Sequence, residues 1–269
     1  MTLLETVVRR DRAVVLVGLV GLAAVAWGYI AHSATGMTGV DAGGMRMTMA
    51  MPQAGSWGVV DLALLFVMWV VMMTAMMLPA AAPLLLMHAA ITRTGRERRS
   101  PVVPTAVFLL GYLLVWTGYS GAAALAQWGL HRALLLRPAM VSTSPVLGGA
   151  LLVVAGVYQF TPLKQACLAH CRSPFGFITT EWRDGVGGAL RMGVKHGAYC
   201  VGCCWVLMAL LFVVGVMNLL WVVTLAAFVL LEKVGPSPRA VSRVAGVLLA
   251  GWGAWLLAGA LATEVVAGG

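Results

Sequence analysis

Seven apolar stretches, separated by short polar or glycine-rich segments, run along the chain: 13–31, 58–79, 104–127, 146–162, 198–216, 218–232 and 242–262. A helix needs about 20 apolar residues to cross the ~30 Å hydrocarbon core, and these stretches are of that order. None is built from the short alternating segments that a barrel requires, and backbone polar groups cannot stay unpaired in lipid. The pattern therefore predicts an all-α, polytopic helical membrane protein with about seven transmembrane helices. The region 198–232 would span about 52 Å as one helix at 1.5 Å per residue, too long for a single crossing. Gly215 and Asn218 suit a tight turn there, which makes it a helical hairpin.

Composition agrees. The chain is 61% hydrophobic and only 10% charged, with a mean hydropathy of +0.93, values that exclude an ordinary soluble domain. Residues 1–269 read as a single helical membrane domain with two longer connections. The first, 32–57, is an outer, methionine-rich loop. The second, 163–195, is an inner basic loop, too short and glycine-rich to bury a core. It is expected to lie on the membrane surface with Phe175, Phe177, Ile178 and Trp182 in the interface. The first apolar stretch reads as a retained span rather than a cleaved signal peptide.

Charge adds the orientation. Fifteen of the eighteen Lys and Arg residues fall within 9–12, 93–99, 164–195 and 233–243, while Arg46, Arg132 and Arg137 fall on the opposite side. The positive-inside rule places the first group, and the N-terminus, in the cytoplasm. This asymmetry and the attraction of anionic lipid account for the +9 net charge, so the basic balance gives no reason to invoke nucleic acid. The lipid bilayer is the expected partner. In the last stretch, Gly246, Ala250, Ala254, Ala258 and Ala262 form a stripe of small residues where another helix can approach closely.

The chemistry is concentrated. All five cysteines lie within 38 residues, as Cys167 and Cys171, then Cys200, Cys203 and Cys204, with His170 and His196 beside them. One buried cysteine in an apolar chain is ordinary; five clustered with two histidines point to a metal site. On a helix, Cys167 and Cys171 share a face, as do His196, Cys200 and Cys203 or Cys204. Cytoplasmic thiols stay reduced, which favours metal over disulfide. Thiolate and imidazole suit copper(I), with zinc as the second candidate. Lys164, Arg172, Arg191 and Lys195 are expected to supply the positive field that favours thiolate.

Methionine extends the pattern. Met45, Met47, Met49 and Met51 alternate in the outer loop, just after Met37, and thioethers are soft neutral ligands that favour copper(I). Met68, Met72 and Met76 share one face of the second stretch, with Met73 and Met77 adjacent. Such a stripe also serves as adaptable apolar filler. Pro79 and Pro83 interrupt the backbone hydrogen bonding of that helix. His88 reads as a capping or interfacial residue. Glu232 and Lys233 are placed to pair with each other or with the inner basic segment. No phosphate loop, Ser-His-Asp arrangement or hydrolytic carboxylate pair is present, so no catalytic residue is assigned.

Three segments carry a resemblance. They are Met68-Trp69-Val70-Val71-Met72-Met73-Thr74-Ala75-Met76-Met77-Leu78-Pro79; Tyr158 to Lys164 running into Cys167, Cys171 and Pro174; and His196-Gly197-Ala198-Tyr199-Cys200-Val201-Gly202-Cys203-Cys204-Trp205 followed by Leu231-Glu232-Lys233. Over residues 57–262 the chain resembles the bacterial family of predicted metal-binding integral membrane proteins, catalogued as a domain of unknown function. The resemblance implies a multi-pass protein of the bacterial inner membrane with a metal site.

The expected function is soft-metal handling: binding, delivery or transport of copper(I) through the Cys/His cluster and the methionines, with a metallochaperone or a membrane protein as partner. Two alternatives remain. Cys200-Val201-Gly202-Cys203 has the C-x-x-C spacing of a membrane thiol-disulfide oxidoreductase. A non-catalytic membrane assembly subunit would use any metal structurally.

Overall fold

The computed structural model describes residues 3–38, 58–94, 102–133, 144–216 and 218–267. Among them there are helices and no strands. In chain order these are α1 (Leu3–Thr38), α2 (Val59–Thr94), α3 (Val102–Arg132), α4 (Pro145–Tyr158), α5 (Pro162–Arg172), α6 (Pro174–Glu181), α7 (Gly185–Ala209), α8 (Leu211–Val214), α9 (Leu219–Val234) and α10 (Pro238–Ala267).

The helix starts follow from local chemistry. Ser144, Thr161 and Ser173 each accept a backbone N–H with the side-chain oxygen, and each precedes a proline at the first helical position. Gly185 begins α7 at φ 79°, and Gly215 ends α8 at φ 96°; both values favour glycine. The break after Val214 and the restart at Leu219 divide the region 198–232 where Gly215 and Asn218 suggested.

Among the described residues, five helical stretches are long and apolar enough to cross a membrane: Ala13–Ser33, Val59–Arg93, Val102–Arg132, Gly185–Val214 and Pro238–Ala262. A sixth crossing arises if α4 and α5, bent by 65° at their junction, count as one broken span. Alone, α4 and α9 have 14 and 16 residues and fall short of the usual crossing length.

The connection 163–195 differs from the expected surface loop. It folds into α5, α6 and the first half of α7, with Phe177 and Ile178 buried while Phe175 stays exposed. At the other end, α1 continues as helix through Thr38, and the remainder of the 32–57 loop, with Met45, Met47, Met49 and Met51, lies outside the described residues.

Helix α7 sits at the centre, packed on α3 and α5, with α2 against α3. Close approach is set by glycine. A methyl group on Gly111 of α3 would sit 2.5 Å from the Leu190 carbonyl oxygen of α7. On the far side α10 packs along α4, where a methyl on Gly156 would sit 2.5 Å from the Ala250 nitrogen. Gly246 and Ala250 of the small-residue stripe thus meet a glycine-bearing partner helix.

Candidate metal centre

Cys200 lies in the middle of α7, fully buried. Among the groups that reach its sulfur from other helices, the Lys233 Nζ donates to it at 2.9 Å, and the Tyr112 hydroxyl lies at 3.1 Å. Tyr112 also donates to the Met77 carbonyl oxygen at 3.1 Å, which ties α3 to α2.

The other thiols gather around this point. Cys203 and Cys204 come from the next turn of α7, and their Sγ atoms donate back to the Cys200 carbonyl oxygen at 3.1 and 3.0 Å. Cys171, from the end of α5, lies close enough to Cys200 and Cys203 to interact with both. One turn earlier, half-buried Cys167 faces Gly202: a methyl added there would sit 2.7 Å from its sulfur. The Gly202 carbonyl accepts from the Tyr158 hydroxyl, which fixes the end of α4 to α7 at the same place. All five cysteines are free thiols.

Not every expected ligand joins the group. His170 is exposed, stacks on Tyr199 with ring centroids 4.2 Å apart, and its Nδ1 lies 2.9 Å from the Ala166 carbonyl oxygen. His196 is buried one turn before Cys200, in an aromatic setting of Tyr112, Phe108 and Phe177, and its Nδ1 has no hydrogen-bond partner among the described residues. His88 is buried as well, 3.2 Å from the Thr105 hydroxyl and between Phe108 and Trp182, rather than interfacial.

The methionine face is entirely internal. Met68, Met72, Met73, Met76 and Met77 are all buried. Met77 reaches the thiols, its Sδ lying 4.0 Å from the Cys204 Sγ.

The basic residues are distributed differently from the sequence reading. Lys164 is fully buried and bonds both carboxylate oxygens of Glu232 at 2.8 Å, while the Ser242 hydroxyl donates to Glu232 at 2.6 Å. Lys195 pairs with Glu181 at 2.5 Å. Neither is free to act on the cysteines. Lys233 does so instead, and Glu232, its chain neighbour, points to a different partner. The sequence pointed Glu232 towards the inner basic segment, where Lys164 lies, but gave no signal for the contact of Lys233 with Cys200. Tyr112 gave no signal beyond being a lone hydroxyl within an apolar run.

One cavity reaches the edge of the cluster. A cavity of about 240 Å³ is lined by Ala80, Pro83 and Leu84 of α2, by Cys171, Arg172 and Pro174, and by Lys233 and Val234. Cys200, Cys203 and Cys204 lie deeper, each at most 1% exposed.

Chemically this is a soft, sulfur-rich pocket with a positive charge inside it. It is gathered but not splayed: among the described residues, no three His, Cys, Asp or Glu side chains surround one point as a ready metal cage. Two of the thiols are turned onto a backbone carbonyl, and an ammonium occupies the open side of the third.

Residues 66–256 match the PpoB2 family, described as copper chaperones. The chain belongs to this copper chaperone family. The matched segment contains all five cysteines, Met68, Met72, Met73, Met76 and Met77 of α2, Tyr112 and Lys233. No curated protein and no solved structure matches the chain. Copper handling is therefore a property of the family, while the ligand set of this chain rests on its own geometry.

Proposed function

We propose that this copper chaperone family member is a membrane-spanning copper(I) carrier that holds its cargo among Cys171, Cys200, Cys203 and Cys204. The observation that carries the reading is the convergence of α5 and α7 thiols around Cys200 inside a copper chaperone sequence. Thiolates bind Cu(I) as soft ligands, and two or three suffice for this ion. Rotation about the side-chain torsions of Cys203 and Cys204 exchanges their carbonyl bonds for a metal. Lys233 then remains as the counter-charge. A bis-thiolate copper(I) unit carries one negative charge, and the ammonium makes the buried assembly neutral, which matters where desolvating a net charge costs several kcal/mol or more. Zinc would make the two-thiolate unit neutral and leave the Lys233 ammonium as an uncompensated buried charge.

Met77 extends the soft surface from Cys204 towards Met73, Met76, Met72 and Met68. A copper(I) ion leaving the thiols would meet thioethers next, by ligand exchange. Within this reading Cys167 is an auxiliary thiol at the edge, His196 a reserve imidazole one turn away, and His170 an external residue.

The bilayer setting is supported by the five long apolar helices and by large apolar side chains on the outside of the fold, among them Val17, Val25, Val247 and Trp255. We place the N-terminus and the basic segments on the cytoplasmic side of a bacterial inner membrane, with α4 and α9 as the shorter members of about seven spans. On that side the thiols stay reduced and a partner protein can receive or deliver the ion. The C-x-x-C pair gains no comparable support, so the oxidoreductase alternative is set aside.

The test is copper stoichiometry. The reduced, full-length protein should bind Cu(I) in competition with a chromogenic chelator, and a variant with Cys171, Cys200, Cys203 and Cys204 all changed to Ser should not. Equal copper content in the two proteins defeats the proposal.

A further inference from the structure

A second, larger cavity of about 590 Å³ adjoins the mouth of the thiol pocket, lined by Gln165, Arg172, Ser237, Arg239 and Arg243 among others. Arg172 belongs to both cavities. Its Nε donates to the Lys233 carbonyl oxygen at 3.2 Å and a terminal nitrogen donates to the Gly235 carbonyl oxygen at 2.6 Å, so the guanidinium is held rigidly on the shared wall. Arg239 and Arg243 stand one turn apart on α10, both exposed, and neither has an ion-pair partner among the described residues. Among the described residues no acidic side chain lines the cavity; the nearest in sequence, Glu232, is bound by Lys164 and Ser242.

Three guanidinium groups, with Lys233 behind them, create a strongly positive approach to Cys171. Such a field repels a bare copper cation and attracts an anion, changing encounter rates by roughly 10 to 1,000-fold. The cavity volume falls within the ~300–1,000 Å³ typical of small-molecule sites, which suits a thiol of peptide size rather than a protein surface.

Building on the copper(I) reading, we infer that the Arg172–Arg239–Arg243 cleft receives a small anionic copper(I)–thiolate complex and presents its metal to Cys171. The transfer is a ligand exchange. The Cys171 sulfur forms a bond to copper and one donor thiolate leaves, carrying away the proton that Cys171 gives up. Copper stays in the +1 state and no electrons move. A second exchange with Cys200 or Cys203 releases the remaining donor thiol and draws the ion inward.

The experiment uses full-length protein in phosphatidylcholine nanodiscs and follows the rate of copper uptake from two donors. Copper(I)–glutathione is net negative and copper(I)–cysteamine net positive. At low salt the native protein should take copper from glutathione at least tenfold faster than the R239Q/R243Q variant, and the difference should collapse at about 1 M salt, where the screening length is about 3 Å. From cysteamine the variant should be as fast or faster. If both proteins bind copper equally and load from glutathione at the same rate, the cleft inference is overturned while the copper reading stands. If neither binds copper, the copper reading itself fails. If phosphatidylglycerol in the nanodisc abolishes the native protein's advantage, the cleft holds a lipid headgroup and the inference is likewise overturned.

Discussion

The Lys233 ammonium lies 2.9 Å from the Cys200 sulfur, with both side chains enclosed by the fold. An ammonium in that position either competes with a metal for the sulfur or neutralises the complex the metal forms. The neutralising role predicts that Lys233→Met lowers copper(I) affinity by at least tenfold and narrows the preference for copper(I) over zinc(II). Chelator competition with each metal measures both. A variant that binds copper more tightly than the native protein would identify Lys233 as a competitor instead.

The Lys164–Glu232 pair predicts a large but recoverable loss of stability. Glu232→Gln leaves a fully buried ammonium without its carboxylate, and breaking such a pair costs about 3–5 kcal/mol. The double change Lys164→Met with Glu232→Gln removes both charges and should restore much of the loss. Thermal unfolding of the two variants in the same detergent provides the comparison.

Met77 separates binding from movement. Met77→Leu conserves volume and should cost less than about 1.5 kcal/mol of stability. Copper content should stay at the native value, because the thiols remain. Transfer onward to an added acceptor should slow by at least threefold, since Cys204 loses its thioether neighbour at 4.0 Å. Unchanged transfer kinetics would remove the methionine face from the route.

Gly111 tests whether the thiol pocket depends on helix spacing. Any side chain there meets the α7 backbone, so Gly111→Val should force α3 outward and carry Tyr112 away from Cys200. Overpacking of this kind costs about 1–3 kcal/mol. Copper affinity should fall together with the melting temperature, whereas Tyr112→Phe should lower affinity with a smaller effect on melting, near the ~1 kcal/mol of one hydrogen bond.

The helical architecture was legible because apolar length is a local property, and all seven apolar stretches coincide with helices. The grouping of Cys200 with Cys203 and Cys204 was legible for the same reason: one helical turn joins them. Within the connection 163–195 a helix was read only around Cys167 and Cys171, although Thr161-Pro162 and Ser173-Pro174 are sound helix-start signals for α5 and α6. Its glycines and charges outweighed them. The partners of Cys200 were not legible. Lys233 is 33 residues away and Tyr112 is 88, and an isolated lysine at the end of an apolar run looks like an interfacial anchor. His170 failed as a ligand for a related reason. Its spacing from Cys167 fits a shared site, but the stacking on Tyr199 turns it to the outside.

Of the four sulfurs proposed to hold copper, only Cys171 lines the open cavity. An ion arriving from that cavity must therefore pass a single doorkeeper first. A reagent that caps this one atom would close the interior to such arrivals without touching anything inside it.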